Sequence, residues 1–139
     1  MDQIALVDRR IDDGQRLVQQ LLRDNFDVTV AFWLKTSEED WWHLYVATKV
    51  VDERGPLEAY RALQASLQQL PSTTVSLTDV KVIGTSSPIT RDVLKIQNRY
   101  SGTAPFRFSG VTHFGGITVE DALIYPPLAS RKDSVPNKV

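Results

Sequence analysis

From Ile4 to Leu22 an apolar residue recurs every three or four positions: Ile4, Val7, Ile11, Val18 and Leu21, with Gly14 in one slot of the stripe. The positions between them are mostly charged or Gln, so the period predicts an amphipathic helix. Gly14 costs a helix roughly 1 kcal/mol against Ala, which predicts close approach of another backbone there. Asp24-Asn25 breaks the pattern.

The period then changes. Residues 28–35 and 41–51 are rich in β-branched and aromatic side chains, with the acidic segment Ser37-Glu38-Glu39-Asp40 between them. This predicts a hairpin. Pairing Lys35 with Trp41 and Trp33 with His43 sorts the side chains into two faces. One holds Val28, Val30, Phe32, Leu34, Trp42, Leu44, Val46 and Val50. The other holds an aromatic cluster of Trp33, Trp41, His43 and Tyr45 between Lys35 and Lys49.

Asp52 to Pro56 reads as a turn that starts a helix running to about Leu70. A strand near Val80–Ile83 leads to Ser87, a helix N-cap with Pro88 behind it, and to a third helix over 88–100. Gly115-Gly116 suits the two-residue loop of a second hairpin. Pairing outward from it gathers Phe106, Phe108, Thr112, Phe114, Ile117, Val119, Leu123 and Tyr125 on one face. Asp121 falls on that face opposite Gly110, so a bulge or a buried carboxylate is expected there.

The order α-β-β-α-β-α-β-β implies an α+β fold: a mixed, largely antiparallel sheet of about five strands with helices packed on it. Residues 1–126 are expected to form a single domain and 127–139 a flexible C-terminal tail.

Composition narrows the function classes. A chain of 139 residues, 42% hydrophobic and 24% charged, suits one globular domain. It has no cysteine, which excludes disulfides, zinc–thiolate centres and thiol nucleophiles and suits a reducing cytoplasm. The N-terminal residues interleave acid and base, unlike a signal peptide, and no apolar run has the ~20 residues of a membrane span. Net charge is −1, but residues 1–69 carry 8 Lys/Arg against 12 Asp/Glu, and residues 70–139 carry 8 against 5.

No phosphate-binding loop, nucleophile elbow or metal-ligand motif occurs, and no cofactor is implied. Gly84-Thr85-Ser86-Ser87, between a strand and a helix, offers backbone N–H groups to an anion or simply caps the helix. His113 and Glu120 are expected near each other on the second hairpin, where an imidazole beside a carboxylate can act as a base or bind a metal. Asp52 and Glu53, beside Lys49 at a strand end, are the other candidates for metal-assisted hydrolysis. Arg91, Lys95 and Arg99 recur every four residues along the third helix, with Arg107 beyond them and Arg131, Lys132 and Lys138 in the tail; such a row can follow a nucleic-acid backbone.

The expected function is therefore a non-enzymatic protein-interaction module, homodimeric or bound to a protein partner, using the cluster of Trp33, Trp41, His43 and Tyr45. A small metal-assisted hydrolase or nuclease, and a nucleic-acid binder using the basic row, are the alternatives.

Overall fold

The computed structural model describes residues 8–39, 41–100 and 102–127. Helix α1 (Asp8–Arg23) precedes a hairpin of β1 (Val30–Thr36) and β2 (His43–Ala47). Helices α2 (Lys49–Arg54) and α3 (Pro56–Gln68) follow, then β3 (Val80–Ile83), α4 (Pro88–Arg99), and a hairpin of β4 (Phe106–Phe114) and β5 (Ile117–Ile124). The strands form one sheet in the order β3-β2-β1-β5-β4. Only the β2–β3 pair is parallel. The fold is α+β, as the periodicities imply, and no helix among the described residues is long and apolar enough to cross a membrane.

Each face of the sheet carries its own core. Leu17, Val18 and Leu21 of α1, with Ala59 and Leu63 of α3, cover Ala31, Trp33, Leu44, Val46, Val80 and Val82. On the other face α4, through Val93, covers Val30, Phe32, Leu34, Tyr45, Ala47, Val119 and Ile124. A sheet covered on both sides buries both sets of alternating side chains. Strand β1 accordingly has six of its seven residues buried.

That two-sided burial corrects the expected register of the first hairpin. The pairs are Leu34 with His43, Trp33 with Leu44 and Phe32 with Tyr45, one residue away from the expected alignment. Val30, Phe32 and Leu34 therefore face α4, while Leu44 and Val46 face α1 and α3. With apolar residues on both sides of each strand, hydrophobicity does not penalise the slip. A second correction lies beyond β2. Thr48 accepts a hydrogen bond from the Val50 N–H at 3.1 Å and caps a short helix, so residues 49–51 are helical rather than extended.

The second hairpin turns at Gly115-Gly116, with Phe114 opposite Ile117 and His113 opposite Thr118. The expected bulge is present. Gly110 and Val111 together span the place of Glu120, since Ser109 pairs with Asp121 and Thr112 with Val119. Gly110 takes φ +103, a conformation that favours glycine. Beyond the bulge the faces exchange: Ala122 and Ile124 turn towards α4, Leu123 and Tyr125 towards α1. Leu123 and Tyr125 thus leave the face expected for them, because the register shift sets Ala122 opposite Phe108 and Ile124 opposite Phe106. Residues 4–7 of the expected first helix and residues 128–139 of the expected tail lie outside the described residues.

Candidate functional site

The aromatic cluster expected around Trp33 is divided by the sheet. Trp33 is completely buried; its indole N–H donates to the Tyr125 hydroxyl at 2.8 Å, and the Arg10 guanidinium lies 5.2 Å from its ring. Tyr45 is buried on the opposite face, stacked on Phe32 at 5.4 Å. Trp33 and Tyr45 are buried on opposite faces, which corrects their expected placement together on one face. Trp41 is exposed, and His43 is half-buried.

His43 instead joins a polar group that the sequence pattern does not reveal. Its Nδ1 lies 3.1 Å from Glu39 Oε1. Lys81 of β3 donates to both oxygens of the same carboxylate at 2.9 and 3.0 Å and stands 5.8 Å from the Tyr45 ring. Glu39, Lys81 and Tyr45 line a cavity of about 260 Å³ together with Thr36, Ile89 and Thr118. The Lys81 hydrogen bond holds the Glu39 carboxyl below its usual range against the opposing effect of burial. Burial works against the Lys81 charge, yet Glu39 keeps the ammonium above its ordinary range. Burial also pushes the Tyr45 hydroxyl up. A lysine held protonated is a poor nucleophile and a poor base, so this cluster balances charge. Lys81 reaches it because β3 runs parallel to β2, with Tyr45 opposite Lys81; that pairing spans a long crossover and leaves no local signal.

The candidate acids and bases do not converge. The Asp52 carboxylate accepts from the N–H and hydroxyl of Thr85, at 2.7 and 2.5 Å, and from the Ser86 hydroxyl at 2.9 Å. These bonds, led by the Thr85 hydroxyl, hold its carboxyl below the usual range. The anion at the Gly84–Ser87 loop is thus the protein's own side chain, and Ser87 caps α4 as expected. Glu53 stands apart from this clamp. It lines a separate cavity of about 440 Å³ with Asp24, Asp27, Arg54 and Glu58. His113 is exposed and lies opposite Thr118 as the turn implies, while the Glu120 carboxylate accepts from Lys35 Nζ at 2.6 Å. Among the described residues no group of three His, Asp or Glu side chains could hold a metal.

The basic row is on the surface: Arg91, Lys95 and Arg99 are all exposed along α4. Arg107 does not extend it. Its guanidinium lies over the Trp42 ring at 5.2 Å and pairs with Asp121 at 3.1 Å, among residues of the sheet face that α1 covers rather than α4.

Strand β4 is the feature whose exposure the sequence pattern missed. It forms one edge of the sheet. Phe106 and Phe108 are only partly buried beside the α4 core, Val111 is 72% exposed and Tyr100 is 49% exposed. The Tyr100 ring packs on Phe106 at 4.5 Å. Comparison with protein-family models, with curated proteins and with solved structures gives no match.

Proposed function

We propose that this chain is a non-enzymatic protein-interaction module that self-associates along the outer edge of β4. The observation that carries this reading is the edge itself: nine residues with a strand on one side only. An open edge offers unpaired N–H and C=O groups to a further strand. Antiparallel pairing with a second copy satisfies both partners through one two-fold axis. The segment 106–109, before the bulge, brings Phe106 and Phe108 to the joint, with Val111 beside it. The opposite edge, β3, offers only four residues.

The paired state of four of the candidate groups supports a role without catalysis. Asp52, Glu39, Lys81 and Glu120 are each bound to a neighbour within the chain. The alternative of a metal-assisted hydrolase has less support, since His113, Glu120, Asp52 and Glu53 are dispersed.

Sedimentation equilibrium tests the proposal. The parent chain is expected to be a dimer, and Val111→Asp, a charge on the edge at an exposed site, a folded monomer. A parent chain that stays monomeric at high concentration overturns the reading.

A further inference from the structure

We infer that the outer face of α4, with Tyr100 at its end, binds single-stranded nucleic acid. Arg91, Lys95 and Arg99 lie at four-residue intervals, so about 6 Å of helix rise separates each from the next. All three are exposed, and none forms an ion pair among the described residues. Of the ten other Lys and Arg side chains among the described residues, six (Arg10, Arg16, Lys35, Arg61, Lys81 and Arg107) pair with a carboxylate, and the unpaired ones form no such row. The only acid in α4 is Asp92. It accepts from the Gly115 N–H at 2.7 Å and so belongs to the hairpin turn rather than to the outer face. Among the described residues the helix therefore presents three cations with no carboxylate paired to them, on a chain whose net charge is −1.

Charge alone fits any polyanion. Tyr100 narrows the choice. It directly follows Arg99, caps the helix, and leaves about half of its surface exposed while Phe106 supports its ring. An aromatic ring held by a second ring next to a row of cations fits an unpaired base stacked beside its backbone phosphates. A duplex keeps its bases stacked on one another and has no use for the ring. A lipid headgroup has none either.

The test is fluorescence anisotropy with labelled oligo-dT and oligo-rU over a salt series, alongside heparin and phosphatidylserine vesicles. Three phosphate contacts on a single strand give a slope of log K against log salt of about −2. Substituting Arg91, Lys95 and Arg99 together by Ala is expected to abolish binding and the slope. Tyr100→Ala is expected to weaken oligonucleotide binding about tenfold at unchanged slope, because stacking carries no counterion release. Heparin binding should not respond to Tyr100→Ala. Circular dichroism confirms that each surface variant is folded. No oligonucleotide binding at low salt, undiminished binding by the triple variant, or binding of heparin or vesicles alone each overturns the inference. Val111→Asp leaves this face intact, so loss of the dimer with retained oligonucleotide binding separates the two readings.

Discussion

Trp33 and Tyr125, 92 residues apart, share one buried hydrogen bond beneath Gly14 of α1. The Tyr125 hydroxyl donates in turn to the Ile11 carbonyl at 2.6 Å, so one phenol joins the central strand, the chain after β5 and the first helix. Tyr125→Phe leaves the indole N–H with no acceptor, and is expected to cost about 1–3 kcal/mol in urea denaturation. Gly14→Ala is expected to destabilise too. Its methyl would meet the Tyr125 oxygen, and Trp33 Nε1 at 3.1 Å, which outweighs the roughly 1 kcal/mol of helix propensity that Ala gains. A more stable Gly14→Ala would contradict this packing.

The same phenol gives a signature in alkali. Burial pushes its ionisation well above the usual tyrosine range. Above about pH 10 the unfolded chain ionises Tyr125 while the folded chain does not. Its share of stability is therefore complete below that pH and lost as pH rises. The parent should lose stability above that point more steeply than Tyr125→Phe, as followed by denaturation midpoints.

Asp13 predicts the opposite limb. Its buried carboxylate accepts from the Thr74 N–H at 2.8 Å and the Thr74 hydroxyl at 2.7 Å, and pairs with Arg16 at 3.2 Å. The Thr74 backbone bond, ahead of the counteracting burial, holds its carboxyl below the usual range. That stability is complete above about pH 4 and is lost as pH falls. Asp13→Asn should be less stable near neutrality by about 1.5–3 kcal/mol, the worth of hydrogen bonds to a charged group. Its melting temperature should also depend less on acid. Equal acid sensitivity in the two proteins would remove Asp13 from that role.

At the second turn the two glycines should respond unequally. Both have positive φ, +59 at Gly115 and +88 at Gly116, so Ala at either costs about 1–2 kcal/mol for the backbone alone. A Cβ at Gly116 meets open space, whereas one at Gly115 comes within 2.6 Å of the Ile89 nitrogen. Gly115→Ala should therefore unfold at clearly lower urea than Gly116→Ala. Equal midpoints would argue against the contact between the turn and α4.

Removing Lys81 should release Glu39. In Lys81→Met the Glu39 carboxyl loses the hydrogen bond that lowers its ionisation and keeps the burial that raises it, so its NMR titration is expected to move up. An unmoved titration would mean that the ion pair does not persist in solution.

Much of the fold follows from local pattern. The spacing of Ile11, Val18 and Leu21 about Gly14, the Ser87-Pro88 cap, the Gly115-Gly116 turn and the irregularity at Gly110 are all encoded within a few residues. At Gly14 the neighbours are two side chains rather than the backbone expected from sequence. The proposed contact surfaces were legible only in part. The i, i+4, i+8 cations of α4 are visible in the chain, but that Asp92 belongs to the hairpin turn is not. Arg107 is adjacent in sequence to that row and lies on the other side of the sheet.

What the sequence by itself determined is the identity of most elements, because helix period, cap and turn chemistry act over about one to four residues of chain. The tertiary structure alone decided the β1–β2 register, the division of Trp33 from Tyr45, the Asp52 clamp on Thr85 and the exposure of the β4 edge. Burial on both faces removes the polar alternation that would mark a register in the chain. A carboxylate's partner 33 residues away is chosen by how β3 and α4 pack, which no local pattern records.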